Sequence, residues 1–105
     1  MDVASDRKGE SVVLMDMRQV SPVTDFFVVL SGNSDRQLKA IIEHIGQELK
    51  DRYGILPWRT EGEAQNGWVL MDYGDVVVHG FLPEKRSYYD LEGLWREAPV
   101  VVRIQ

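Results

Sequence analysis

The sequence predicts a small α/β domain, a mixed β-sheet flanked by helices, and three stretches predict it. Phe26-Phe27-Val28-Val29-Leu30 is an apolar run that does not alternate, as expected for a strand covered on both faces. Leu38, Ile41, Ile42, Ile45 and Leu49 recur at helical spacing and make one apolar stripe, so their helix lies on the sheet as a one-sided lid. Residues 68–72 and 76–82 flank Tyr73-Gly74-Asp75, a short glycine-bearing connection of the kind that joins adjacent antiparallel strands.

In chain order, residues 1–10 form a short polar lead-in to a single domain spanning 1–105. Val12-Val13-Leu14-Met15-Asp16-Met17 is β-branched and apolar and suits a first strand. Ser21-Pro22 interrupts the pattern, because proline fixes φ and withholds a donor. After the second strand, Ser34 and Gln37 have the capping-box spacing that satisfies free N–H groups at a helix start. Gly54 and Pro57 end that helix. Trp58-Arg59-Thr60 reads as a short strand and Asn66-Gly67 as a turn. Pro83 suits the first turn of a second helix, with Tyr88, Leu91, Leu94 and Trp95 on its inner face. Gly93 weakens it by ~1 kcal/mol relative to alanine. Residues 100–104 add an edge strand or cross to a partner chain.

Composition narrows the function classes. Twelve basic and 17 acidic side chains give a net charge of −5, and the bases are scattered. A protein held mainly by nucleic-acid phosphates carries a basic footprint, so no sequence-specific nucleic-acid binding is expected, whereas a basic protein surface fits. The absence of cysteine excludes disulfides and thiolate chemistry. The longest apolar run has five residues, far short of the ~20 of a membrane helix, and the N-terminus lacks the order of a secretory signal. A cytoplasmic protein is expected.

Four constellations carry chemistry or its appearance. Gly32-Asn33-Ser34 opens a helix where free N–H groups attract anions, but a turn and an N-cap account for it without a ligand. Neither a phosphate-binding lysine nor a glycine triplet accompanies it. Asp72 and Asp75 offer oxygen ligands for magnesium, yet they stand three apart across a turn rather than on one strand face. His79, within Val76-Val77-Val78-His79-Gly80-Phe81, reads as a hydrogen-bonded structural residue more readily than as a base. Residues 57–83 set Glu61, Glu63, Asp72 and Asp75 against Arg59 alone, with Trp58, Trp68, Tyr73 and Phe81 interleaved, a mixture typical of protein interfaces. Trp58 and Phe81 read as core; for Trp68 core and surface both stand.

Three stretches together resemble one family. They are Ser21-Pro22-Val23-Thr24-Asp25-Phe26-Phe27-Val28-Val29 with Ser31-Gly32-Asn33-Ser34-Asp35-Arg36-Gln37; Glu61-Gly62 with Trp68-Val69-Leu70-Met71-Asp72-Tyr73-Gly74-Asp75-Val76-Val77-Val78-His79; and Pro83-Glu84, Arg86, Tyr89, Leu91-Glu92 and Leu94-Trp95. In this order they resemble the Iojap-type ribosomal silencing factors. The resemblance implies a nucleotidyltransferase-like fold without catalysis or cofactor, and a homodimer. It further implies binding to the fourteenth protein of the large ribosomal subunit, which blocks small-subunit joining and lowers translation when nutrients are short. The partner-facing residues it implies are Trp68, Asp72, Tyr73, Asp75 and His79, with Arg86 and Tyr89 nearby. Relatives in organelles assist large-subunit biogenesis. Two alternatives are a ribosome-assembly scaffold and a small metal-dependent nucleotidyltransferase using Gly32, Ser34, Asp72 and Asp75. The lead-in is shorter than the N-terminal helix common in the family, and Gly80 stands where a branched aliphatic is more usual.

Overall fold

A computed structural model describes residues 10–104. Most of the 1–10 lead-in therefore lies outside the described residues. Six strands form one sheet: β1 (Glu10–Asp16), β2 (Phe26–Ser31), β3 (Arg59–Glu63), β4 (Trp68–Asp72), β5 (Val76–Phe81) and β6 (Val100–Ile104). Their order across the sheet is β3-β4-β5-β2-β1-β6. Only β2 and β5 pair in parallel; the other four pairings are antiparallel, which makes the sheet mixed as the sequence predicts.

Helix α1 (Asp35–Tyr53) joins β2 to β3 and lies across one face. The Ser34 side chain accepts from the Gln37 N–H at 3.1 Å, as the capping-box spacing requires. The Gln37 side chain returns to the Asn33 N–H, one residue earlier than that motif predicts. Gly54, at φ 67°, ends the helix in the left-handed region and donates to the Leu49 and Lys50 carbonyls. Leu38, Ile41 and Ile45 pack with Val12, Leu30, Val69, Met71 and Val78 beneath them. The chain approaches itself closely here: a Cβ on Gly80 would meet Leu38 and Ile42 side-chain carbons at 2.9 Å. The glycine that departs from the family pattern is thus what admits these two side chains.

The second face is covered only in part. The expected second helix is broken in two, α2 (Pro83–Tyr89) and α3 (Leu91–Leu94), because Asp90 turns left-handed at φ 44° and its carboxylate accepts from the Gly93 N–H. Breaking the helix re-aims its stripe. Leu91 and Trp95 pack on the sheet beside Phe27, Val29 and Phe81, whereas Tyr88 and Leu94, expected on the inner face, are exposed. Trp58, expected in the core, is 79% exposed. Phe81 is buried as expected, and Val100–Ile104 forms an edge strand against β1.

Candidate functional site

Strand register decides which of the singled-out residues meet. Trp68 lies opposite Phe81, Leu70 opposite His79 and Asp72 opposite Val77, so these six side chains share the partly covered face. On the outer side, Glu63, Glu61 and Arg59 stand beside Trp68, Leu70 and Asp72. The resulting strip runs from an indole flanked by carboxylates to an Asp–Arg pair. Trp68 is half-buried, and its ring lies close over Gly62, whose φ of 80° and lack of a side chain permit the approach.

His79 forms the floor of the strip. It is 8% exposed, as the structural reading expects, and neither ring nitrogen has a hydrogen-bond partner among the described residues. Its ring meets Phe27 edge-on at 4.7 Å and stacks parallel to Phe81 at 6.2 Å. Burial holds the imidazole pKa down to about 4, against a smaller upward pull from the Asp72 charge. It is therefore neutral at physiological pH. A groove of about 540 Å³ opens here, lined by Phe27, Leu70, Asp72, Val77, His79 and Trp95 and by the loop at Thr24. Thr24, which sequence reasoning did not single out, is buried, with its hydroxyl donating to the Asp75 carbonyl at 3.0 Å. No local sequence signal marks that role, because its partner lies 51 residues away.

The remaining candidates go elsewhere. Tyr73 packs against the α1-covered cluster, its hydroxyl 3.7 Å from the Met71 sulfur, and burial raises its pKa. The exposed Asp75 sits in the β4–β5 turn, where its backbone carbonyl accepts from the Asp25 and Phe26 N–H groups. Arg86 acts as a brace. It donates to Glu92 and to the buried Ser31 hydroxyl, both at 2.9 Å, which ties α2 to α3 and to the end of β2. Tyr89 remains at the surface, its ring 5.9 Å from Phe81.

The residues of the nucleotidyltransferase alternative are engaged in backbone support. Ser34 caps α1, and the Asp72 carboxylate accepts from the Gly74 N–H at 2.8 Å while facing Arg59 at 3.5 Å. Among the described residues, no three His, Asp or Glu side chains converge to hold a metal ion. Nor is any helix among them long and apolar enough to cross a membrane.

Comparison with known proteins agrees with this architecture. A family model described as "Ribosomal silencing factor during starvation" matches residues 1–105. Ribosomal silencing factors from Halalkalibacterium halodurans and Bacillus subtilis are 43% and 44% identical, covering 96% and 90% of this chain and 86% and 80% of theirs. A mouse protein named "Mitochondrial assembly of ribosomal large subunit protein 1" is 38% identical over 69% of this chain and 32% of its own length. A crystal structure from Chromobacterium violaceum superposes with a TM-score of 0.84 at 37% identity, covering 90% of this chain and 78% of that one. With the full chain matched and both sequence and fold in agreement, the chain belongs to the ribosomal silencing factor family.

Proposed function

We propose that this domain lowers translation by binding the large ribosomal subunit through its fourteenth protein, so that its bulk keeps the small subunit from joining. The observation that carries the reading is the placement of Trp68: a half-buried indole, fixed by Gly62 and Phe81 and bordered by Glu61 and Glu63. A rigid aromatic beside carboxylates suits a basic protein partner, with the aromatic supplying affinity and the acids favouring encounter. Steric exclusion requires no chemistry, and the reading assigns neither catalysis nor cofactor. It places the protein in the cytoplasm, where ribosomes work. The mouse relative's name favours a second reading, in which the same contact serves large-subunit assembly.

Co-sedimentation with isolated subunits tests the reading. The chain is expected to pellet with large but not small subunits, and Trp68→Ala to weaken that binding by ~30-fold, the loss of a typical hot spot. Retention of full binding by a folded Trp68→Ala variant rejects this face. Pelleting with small subunits rejects the function.

The reading includes a homodimer, for which β6, one of the sheet's two edges among the described residues, offers a surface. Val100 and Val101 are exposed there, and an apolar edge strand invites pairing. Light scattering at micromolar concentration is expected to give twice the 12.1 kDa chain mass, and Val101→Lys to shift it toward the monomer. A monomer mass at every concentration removes the dimer.

A further inference from the structure

Residues 83–98, which carry α2 and α3, form a strap laid over the second face of the sheet and tied at both ends. At its start the Leu82 N–H donates to the Gly67 carbonyl at 3.0 Å. At its end the Asp16 N–H donates to the Pro99 carbonyl at 2.8 Å, and β6 then pairs along β1. Between those ties the backbone of the strap bonds only to itself. Among the described residues its hydrogen bonds are local, such as Asp90 N–H to the Arg86 carbonyl and Ala98 N–H to the Trp95 carbonyl, and none reaches a strand.

Little apolar surface holds the strap down. Ala98 is buried, Arg86, Leu91, Glu92 and Trp95 are half-buried, and every other residue of 83–98 is exposed. Leu91, Trp95 and Ala98 rest in one cluster with Phe27, Val29 and Phe81. The polar ties include Arg86 to the Ser31 hydroxyl at 2.9 Å and Glu92 to Arg103 of β6 at 3.8 Å, and Glu92 also accepts from Arg86 at 2.9 Å. Water can take over such bonds at small net cost. Few buried apolar contacts and purely local backbone bonds mark a segment that opens ahead of the whole molecule. The surface beneath favours opening as well. His79, whose ring nitrogens have no hydrogen-bond partner among the described residues, shares its groove with Trp95, and water reaching it offsets part of the cost of exposing carbon.

We propose that the strap opens as a unit while the sheet and α1 stay folded, uncovering Phe27, Val29 and Phe81 as an apolar strip continuous with Trp68. Trp68 packs in the same cluster as those three, so opening enlarges the face beside the indole. The equilibrium belongs to the free chain and needs no partner. Glu92 is the latch. It stands between Arg86 of α2 and Arg103 of β6, and the Arg86 side chain is only 12% exposed. Removing the Glu92 charge leaves that cation mostly shielded from water without its carboxylate, and opening relieves it.

The chain contains no cysteine, so a single introduced thiol reports its own exposure. Ala98→Cys lies in the strap, Val29→Cys beneath it and Val78→Cys under α1. Each is labelled with an aromatic disulfide reagent in native buffer, its rate normalised to that of the same variant unfolded. Ala98→Cys and Val29→Cys are expected to react faster than Val78→Cys, at rates nearly independent of urea below the unfolding transition, because a small opening exposes little surface. Val78→Cys is expected to follow global unfolding. Glu92→Gln is expected to speed the first two by about 10-fold, near the lower limit for losing a charged hydrogen bond. Hydrogen exchange on the unmodified chain is the parallel measurement, in which the Asp90, Trp95 and Ala98 amides share one opening and exchange ahead of Ile41 and Ile45. Equal rates at all three thiols overturn the proposal, since the sheet then opens with the strap. So does rapid labelling of Ala98→Cys with Val29→Cys as protected as Val78→Cys, because the strap then frays without uncovering anything. Rates unmoved by Glu92→Gln overturn the latch. Each of these results leaves the subunit co-sedimentation test of Trp68 standing.

Discussion

The two faces of the sheet are built to different standards. Beneath α1, Leu38, Ile41 and Ile45 meet Val12, Leu30 and Val78 in a closed apolar layer. Across the sheet, two short helices cover about as far as Trp95, and beyond them lie a half-buried indole, a groove and a buried imidazole with no hydrogen-bond partner among the described residues. The first face is where stability is stored. The second tolerates an unsatisfied polar group and open aromatic surface, features that cost stability and are commonest where a protein meets something else.

Truncation in the closed layer gives the largest expected effect. Leu38 is fully buried, with Gly32 backbone on one side and Gly80 on the other. Neither glycine has a side chain that can move into a vacated volume. Leu38→Ala is therefore expected to cost about 4 kcal/mol, in the upper part of the range for such changes. Urea unfolding would measure it as a lower midpoint with an unchanged slope. A loss below about 1 kcal/mol would show that the layer relaxes and that the two faces differ less than the packing implies.

The closed face was also the legible one. Its helix is written in the 3.6-residue spacing of Leu38, Ile41, Ile45 and Leu49, and its ends in Ser34 and Gly54, all local signals. Strands β4 and β5 were equally clear, with the turn between them. The second face depends on facts that no short window contains. Asp90 breaks a helix whose apolar spacing otherwise continues, so Tyr88 and Leu94 turn outward. Trp58 looks like core in a list of aromatics, and only the position of Gly74, sixteen residues later, explains why it rests on the surface. Trp68, Asp72 and His79 were recognisable as a set through the family resemblance, and alternation along β4 and β5 brings them to one face. The same alternation sends Tyr73 to the other. That Arg86 braces α2 against Ser31 follows from contact across 55 residues, beyond the reach of any local pattern.

Acid gives a smaller effect that tests the second face directly. The His79 pKa is held near 4 by burial, against an ordinary value of 6.5, so the fold favours the neutral imidazole. The unfolded chain binds the extra proton first. The stabilisation relative to a protonated histidine is therefore complete above pH 6.5 and drains away as pH falls from there toward 4, to a limit of about 3 kcal/mol for this group. Asp16 behaves separately: its hydrogen bonds with Arg18 hold its pKa near 2, so its contribution is present above pH 3.8 and lost only below it. The two windows do not overlap. Chemical denaturation at intervals between pH 7.5 and 4 is expected to show stability declining through the histidine window. His79→Leu, which puts an apolar side chain among Phe27, Leu70 and Val77, is expected to flatten that decline. It also removes the orphaned ring nitrogens, so it should leave the domain at least as stable at neutral pH. If His79→Leu unfolds as steeply with acid as the parent chain, the imidazole is not the titrating group. If it is instead markedly less stable at pH 7.5, His79 has a partner in solution, and the second face is as fully satisfied as the first.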